Sequence, residues 1–322
     1  MKRISPFMKL TSALVLFCVV LLLMRILQPE ESPTKVILRG KTMGTTFAIT
    51  IEGLSDALRL PKIESAIKQR LVDINQVMST YIPASEISKF NRSQTTDWYD
   101  VSKELLGIVQ LAQSISAQSQ GAFDITVGPA VNLWNFGPQT EASSTNRSDI
   151  PTADDVAQVL KHIGYQQLHT RENPPGFKKD DPQLQIDLSA IAKGYAVDQI
   201  VELLAALQLD IQYMVEIGGE IRTVSHPQNR DNRRTWRLEI QDPSGQAGTA
   251  RRIVAVNNQA IATSGDYVNY YEIEGVRYSH TIDPTTAKPV HHQLASTVVI
   301  TDTCAAADAW ATALLVLGPK RA

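Results

Sequence analysis

An apolar segment near the C-terminus contains a single carboxylate. Between residues 305 and 317 the one charged side chain is Asp308, and Thr312 follows it by four residues. If the segment is a helix, both side chains lie on one face. An ionised Asp in apolar surroundings needs a cation or strong hydrogen bonds, and Mg²⁺ prefers oxygen ligands of this kind. The pair therefore indicates a magnesium site or, as an alternative, hydrogen bonding within a buried helix.

A second group of polar residues lies in the segment 185–198, QIDLSAIAKGYAVD. We expect Asp187 at the end of a strand and a helix that starts after Ser189. A helix start attracts anions, Lys193 suits phosphate oxygens, and a free carbonyl near Ala190 could bind a hard cation. The alternative is a surface helix cap with a solvated lysine.

Two other motifs combine a reactive or aromatic side chain with turn residues. In the loop that follows Gly121, Phe123 could pack on a planar ligand and Asp124 could accept a hydrogen bond from it, unless the loop is a plain turn into an edge strand. His280 lies on a predicted strand close to the Asp283 carboxylate, which could orient it as a general base. A structural histidine is equally consistent with the pattern.

Paired glycines interrupt another predicted strand at Gly218-Gly219. Glycines inside a strand indicate a bulge or a close approach to the backbone. The approaching group could be a ligand or a neighbouring strand.

The elements that must position these residues follow from hydrophobic periodicity. Helices and strands are mixed without a regular βαβ alternation, which favours an α+β fold. Glu274-Gly275 is a predicted hairpin turn. The predicted helices cover residues 61–78, 102–118, 152–163 and 189–207, and the predicted strands include 46–51, 213–217, 236–240, 253–256, 268–273, 278–282 and 296–300.

Composition limits the function classes. The chain has 322 residues, of which 43% are hydrophobic and 20% charged, with a formal net charge of −2. This is a globular composition and not that of a disordered chain. Without a basic block, a nucleic-acid partner is not expected.

The N-terminus has the pattern of an export or anchor segment. Lys2, Arg3 and Lys9 precede an apolar run over residues 10–24. We expect residues 1–27 to be an uncleaved anchor and residues 28–34 a linker. Residues 35–322 would then form the folded part of the protein, on the periplasmic side of a bacterial inner membrane. Lipidation at Cys18 is a less favoured alternative, because Phe17 is bulky.

Taken together, the motifs resemble the FAD:protein FMN transferase family, the ApbE-type flavin transferases. The resemblance covers residue 35 to the C-terminus. The matching segments occur in the family's order: Met43-Gly44-Thr45-Thr46-Phe47, Met78-Ser79-Thr80-Tyr81, Ser88-Lys89-Phe90-Asn91, Gly121-Ala122-Phe123-Asp124, Asp187 to Gly194, Gly218-Gly219, Thr263-Ser264-Gly265, His280-Thr281-Ile282-Asp283-Pro284, and Ala307-Asp308 with Thr312.

The resemblance implies a single mixed α/β catalytic domain of the T-fold-like ApbE type. It also implies a magnesium-dependent enzyme that cleaves FAD, releases AMP and joins FMN through a phosphoester to a Thr or Ser of an exported or membrane redox protein. An FAD pyrophosphatase and a non-catalytic flavin-binding lipoprotein are the alternatives. The implied catalytic residue is His280, the implied Mg²⁺ ligands are Ala190, Asp308 and Thr312, and the implied FAD contacts are Met43, Tyr81, Ala122, Phe123, Asp124, Asp187, Lys193 and Ile282.

The chain departs from the family pattern at three places. Ala311 stands where some relatives have a further acid beside the metal-binding threonine. Ala287 replaces a glycine, which implies a strained turn. Relatives continue past Leu317 with a helix and a strand, so we expect a domain that lacks these two elements.

Overall fold

The structure, a computed structural model, describes residues 35–54, 57–138, 150–208, 211–225, 235–243, 250–267 and 269–321. The predicted anchor and linker over residues 1–34 lie outside the described residues. Within those ranges, no helix is long and apolar enough to cross a membrane.

The chain forms a mixed α/β fold. Its α-helices are α1 (Leu60–Met78), α2 (Glu86–Arg92), α3 (Lys103–Gln118), α4 (Gly128–Leu133), α5 (Ala153–Leu160), α6 (Ala192–Ala206) and α7 (Cys304–Leu317). Its strands are β1 (Lys35–Thr42), β2 (Thr45–Glu52), β3 (Tyr99–Asp100), β4 (Leu168–Arg171), β5 (Gly176–Lys179), β6 (Gln212–Ile217), β7 (Glu220–Val224), β8 (Trp236–Gln241), β9 (Ala250–Val256), β10 (Ala260–Gly265), β11 (Tyr270–Ile273), β12 (Val276–Ser279), β13 (Ile282–Asp283), β14 (Lys288–Pro289) and β15 (Ser296–Thr301).

A six-stranded antiparallel sheet is the centre of the fold. Its strand order is β1-β2-β6-β7-β10-β15. The register pairs Ile49 with Val215 and Ile261 with Ile300. Phe47, Ile49 and Ile51 are buried in the main core, as expected for side chains on one face of a strand. This register fixes which strand ends reach the same edge of the sheet.

The helices begin and end largely where the sequence indicates. On α1 the buried residues are Ile63, Ile67, Leu71, Ile74 and Met78, with a proline in the first turn. Ser102 caps α3 by accepting from the Leu105 N–H at 3.1 Å. Thr152 and Asp155 form the predicted capping box of α5.

A buried carboxylate on α6 fixes the start of α7. Asp198 accepts hydrogen bonds from the backbone N–H groups of Cys304 and Ala305, both at 2.9 Å, and pairs with Arg222 of β7 at 2.6 Å. A carboxylate at a helix N-terminus satisfies unpaired N–H groups and complements the helix dipole. Asp198 therefore ties together α6, α7 and β7, which carry the residues of the site described below.

Three local predictions were wrong. Gly218-Gly219 do not lie inside a strand but form the turn of the β6–β7 hairpin, where both adopt positive φ. The close approach expected there is present, because a Cβ at Gly218 would lie 2.8 Å from the Thr45 side chain on the neighbouring strand β2. The predicted strand 278–282 is interrupted between β12 and β13. Asp187 lies outside any strand. Helix α6 starts after Ser189, as predicted, but only at Ala192, because the Ile191 and Ala192 N–H groups both bind the Leu188 carbonyl in a turn. The predicted Glu274-Gly275 hairpin turn is confirmed between β11 and β12.

Helices α6 and α7 cross at Gly194. A Cβ at this position would lie 2.3 Å from the Cys304 carbonyl oxygen, whereas the exposed Gly107 of α3 has open space around it. We expect Gly194→Ala to lower the free energy of unfolding by about 1–3 kcal/mol, because backbone cannot move aside cheaply. Gly107→Ala, the matched control, should raise it by about 0.5–1 kcal/mol. Urea unfolding measures both, and an equal effect of the two changes would contradict the close approach.

Candidate functional site

A cavity of about 630 Å³ lies at one edge of the central sheet. Loops, the starts of β7 and α6, the middle of α7, and parts of β8 and β10 form its walls. The predicted site residues that line it are Tyr81, Ala122, Phe123, Asp124, Asp187, Ala190, Lys193, His280, Ile282, Asp308 and Thr312. The structure therefore brings together side chains from widely separated parts of the chain.

Met43 does not line this cavity. It lies in the turn between β1 and β2 with a φ of 48° and packs, partly buried, against the main core. Its contact with FAD stays a prediction.

Three charged side chains form a cluster in the cavity wall. The Lys193 Nζ lies 3.2 Å from Glu220 Oε1 and 3.5 Å from Asp308 Oδ2. Asp308 Oδ2 also accepts the Gly194 N–H at 3.1 Å. Asp308 and Glu220 are 2% and 3% exposed. The carboxylate on the apolar helix thus has the cationic partner that its burial requires.

Burial and mutual attraction set the charges in this cluster. Burial on its own would lower the pKa of Lys193, but the carboxylates of Asp308 and Glu220 raise it above its usual value. Burial raises the pKa of Glu220, Lys193 lowers it by less, and Asp308 raises it further. Lys193 therefore keeps its positive charge throughout the physiological pH range.

Oxygen atoms of three kinds meet beside this cluster. The Gly194 N–H, which would ordinarily bind the carbonyl four residues back, binds Asp308 instead, so the Ala190 carbonyl accepts no hydrogen bond from the described residues. The Thr312 hydroxyl lies 3.0 Å from the Ser264 hydroxyl. The three predicted metal ligands thus offer a carboxylate, a hydroxyl and a free carbonyl on one cavity.

This donor set fits a hard divalent cation. Within the described ranges, no three His, Cys, Asp or Glu side chains are grouped for a metal ion. Mg²⁺ keeps several waters and is bound by one or two carboxylates together with substrate phosphates. A single carboxylate with neutral oxygens beside it matches that requirement.

One ring nitrogen of His280 is hydrogen-bonded to the protein backbone. Its Nδ1 lies 2.9 Å from the Asn269 carbonyl oxygen, which can only accept, so Nδ1 carries the proton. Nε2 is then an acceptor, and no described residue donates a hydrogen bond to it. The predicted partner Asp283 is not used, since its carboxylate binds the Thr285 N–H and hydroxyl. Burial lowers the pKa of His280, and the Lys193 charge lowers it further. A neutral base on the cavity is the result.

Two other predicted site residues, Asp124 and Asp187, accept hydrogen bonds from residues in the loops around the cavity. Asp124 accepts from the Thr126 N–H and hydroxyl and from the Tyr165 N–H, at 2.7–2.8 Å, and burial raises its pKa. It caps a short 3₁₀ helix that leads into α4, so the edge strand considered after this loop is wrong. Asp187 accepts from the Ser189 N–H through Oδ1 at 2.7 Å. Its second oxygen accepts no hydrogen bond from the described residues and is available to a ligand.

Sequence reasoning missed Glu220, Ser264 and Asn269 as parts of the site. Glu220 directly follows the paired glycines, and Ser264 lies within the Thr263-Ser264-Gly265 motif. These positions carried a weak signal. Asn269 carried none, because it acts through its backbone carbonyl.

The strained turn expected at Ala287 is confirmed. Ala287 has a φ of 51° and is fully buried, and its carbonyl accepts the Trp134 ring N–H at 2.7 Å. The left-handed conformation costs an Ala side chain about 1–2 kcal/mol. The hydrogen bond and the packing of its methyl group offset part of that cost.

Comparison with known proteins gives a consistent family. The sequence model of the ApbE family matches residues 43–322. A relative from Vibrio cholerae named FAD:protein FMN transferase is 40% identical over 296 residues, 91% of this chain and 84% of the relative. One of the same name from Escherichia coli K12 is 38% identical over 288 residues, 89% and 79% of the two chains.

Solved structures agree with the sequence comparisons. The flavin transferase ApbE from Vibrio cholerae superposes with a TM-score of 0.78 at 38% identity, over 90% of this chain and 89% of that one. The apo flavinyl transferase ApbE from Pseudomonas stutzeri gives a TM-score of 0.79 at 32% identity, over 91% and 88%. The family match and these identities show that the chain belongs to the ApbE family.

Proposed function

We propose that this protein is a magnesium-dependent FAD:protein FMN transferase. It cleaves the diphosphate of FAD, attaches FMN through a phosphoester to a Thr or Ser hydroxyl of an exported or membrane redox protein, and releases AMP. The observation that carries the proposal is the grouping of Lys193, Asp308, Thr312 and His280 on one cavity. The names of the relatives support the same activity.

In this proposal, the part of the cavity around Lys193 and Asp308 binds the diphosphate of FAD. Mg²⁺ held by Asp308, Thr312 and the Ala190 carbonyl would neutralise charge on the phosphate oxygens and on the leaving AMP. Lys193 adds a fixed positive charge beside them, and the two carboxylates keep its ammonium in place. Phosphoryl transfer depends mainly on such positioning and charge stabilisation.

His280 is the proposed general base. Its free Nε2 takes the proton of the acceptor hydroxyl, whose oxygen then bonds to the phosphorus of the FMN moiety. The bond from that phosphorus to the bridging oxygen breaks, and AMP leaves with the electron pair. The hydrogen bond from Nδ1 to the Asn269 carbonyl stabilises the ring as it becomes charged.

The aromatic and apolar lining of the cavity suits the flavin dinucleotide. Phe123 and Ile282 contribute buried apolar surface, and Tyr81 is an aromatic lining residue that is 55% exposed. Asp187 offers an oxygen that accepts no hydrogen bond from the described residues. Planar ligands pack on aromatic and apolar walls, with a few polar groups to orient them. These residues, with Ala122 and Asp124 in the same wall, are the proposed FAD contacts.

The proposed acceptor implies a location outside the cytoplasm. The basic and apolar pattern of residues 1–27 supports an anchor in a bacterial inner membrane with the catalytic domain on the periplasmic side. Protease accessibility of the domain in spheroplasts, with intact cytoplasmic marker proteins as the control, tests this placement.

Co-expression with an exported redox protein that carries FMN on a threonine tests the function. We expect mass spectrometry to find an FMN adduct on that threonine, and purified components with FAD and Mg²⁺ to release one AMP for each adduct. Threonine→Val at the acceptor position should abolish the adduct. Free FMN and AMP with no labelled acceptor would identify an FAD pyrophosphatase, and intact FAD a flavin-binding protein.

A further inference from the structure

One buried carboxylate oxygen in the cavity wall accepts no hydrogen bond from the part of the chain that the structure describes. Glu220, the first residue of β7, is 3% exposed and pairs with Lys193 through Oε1. Its Oε2 is buried without a hydrogen bond from any described residue. An unsatisfied buried carboxylate oxygen is costly, so an uncharged side chain would be expected here unless the charge has a use.

Lys193 is shared between two carboxyl groups. Its ammonium lies between Glu220 Oε1 at 3.2 Å and Asp308 Oδ2 at 3.5 Å. A divalent cation on Asp308 would repel the ammonium, because both positive charges would then rest on one carboxylate. Without a second anion, Lys193 would pair with Asp308 alone and oppose cation binding.

The β6–β7 hairpin confines Lys193 on the side of Glu220. Gly218, with a φ of +61°, forms the hairpin tip, and a Cβ there would lie 3.3 Å from Lys193 Cδ and 2.8 Å from Thr45 Cγ2. The stem of Lys193 therefore packs against the turn that presents Glu220. An ammonium released from Asp308 meets Glu220 without leaving the cavity.

We propose that Glu220 is a positioning residue that draws the Lys193 ammonium away from Asp308, so that a divalent cation can bind Asp308 while Lys193 stays beside the diphosphate. The inference rests on the proposed function, because it requires Asp308 to bind a cation. The physical reason is charge balance, because two carboxylates allow the Lys193 ammonium and a divalent cation to occupy one cavity.

Direct binding of Mn²⁺ to the purified full chain, measured by electron paramagnetic resonance without FAD, tests the role of Glu220. We expect Glu220→Gln to weaken Mn²⁺ binding about 10-fold, since the amide keeps a hydrogen bond to Lys193 but not the charge. The matched control is Glu216→Gln on the same hairpin. Glu216 accepts the Gly219 N–H at 2.8 Å and lies outside the cavity wall, so this change should alter binding less than about 2-fold.

A double-mutant cycle separates positioning from direct ligation. Lys193→Gln removes the ammonium and keeps a hydrogen-bond donor for Glu220. We expect this variant to bind Mn²⁺ at least as tightly as wild type, and Glu220→Gln to cost less than about 3-fold in that background. A 10-fold loss in both backgrounds would show that Glu220 is itself a ligand and would overturn the proposal.

Asp308→Asn distinguishes failure of this inference from failure of the metal assignment. If Asp308→Asn loses Mn²⁺ binding and Glu220→Gln binds like wild type, the positioning role is wrong and the metal site stands. If Asp308→Asn binds like wild type, the metal assignment fails, and the role of Glu220 with it. Circular dichroism melting of each variant verifies that the compared proteins are folded.

Discussion

Asp308→Asn is expected to reduce the rate of FMN transfer by about 100- to 1,000-fold at saturating FAD and acceptor, because it removes the carboxylate proposed to hold Mg²⁺. The fold should be retained. The amide oxygen can still accept the Gly194 N–H, and Lys193 keeps Glu220 as its partner. Transfer is followed as FMN fluorescence on the acceptor band after denaturing electrophoresis.

A matched control for this change is available just before the same helix. Asp302 is exposed, so Asp302→Asn makes the same chemical change outside the cavity and should leave the rate within about 2-fold. Both variants should unfold within a few degrees of wild type. Wild-type transfer by folded Asp308→Asn would exclude the proposed metal ligand.

His280→Asn is expected to lower kcat/KM for the acceptor by about 100- to 10,000-fold, the usual range for loss of a general base. The Asn amide can still donate to the Asn269 carbonyl, so the change removes Nε2 and little else. His291→Asn, at an exposed histidine, is the control and should be silent. Transfer at several acceptor concentrations gives kcat and KM separately.

The pH dependence of kcat/KM is an independent test of His280 as the general base. Burial and the Lys193 charge lower the pKa of His280, with the Asn269 hydrogen bond and Asp266 acting in the opposite direction. The neutral base is present above that pKa, so wild-type kcat/KM should fall with acidification only below the ordinary histidine pKa of about 6.5. His280→Asn should lack this acid limb, and an unchanged limb in the variant would assign the titration to another group.

The same shift affects stability. Because the folded-state pKa of His280 lies below its unfolded value, the unfolded chain binds more protons as the pH falls through about 6.5. His280 therefore contributes to a loss of stability in acid, and this contribution is absent from His280→Asn.

Local features of the fold were predictable because they depend on neighbouring residues. The apolar stripe of α1, the Ser102 cap of α3 and the capping box of α5 are each encoded within a few positions. The strand prediction failed at the glycine pair, which was expected inside a strand. Whether such a pair lies within a strand or forms a hairpin turn depends on which strand its neighbours pair with. In the structure β6 and β7 pair with each other.

The sequence by itself determined the composition class, most helix positions, the family resemblance, and the placing of Asp308 and Thr312 on one helix face. Only the tertiary structure decided which groups they meet. Lys193 and Asp308 are 115 residues apart and come together because Gly194 lets α6 approach the start of α7. His280 binds the Asn269 carbonyl and not Asp283, because the turn after β13 takes that carboxylate. Spacing along a chain fixes faces and caps, whereas the partners of a buried charge depend on which distant backbones can pack closely.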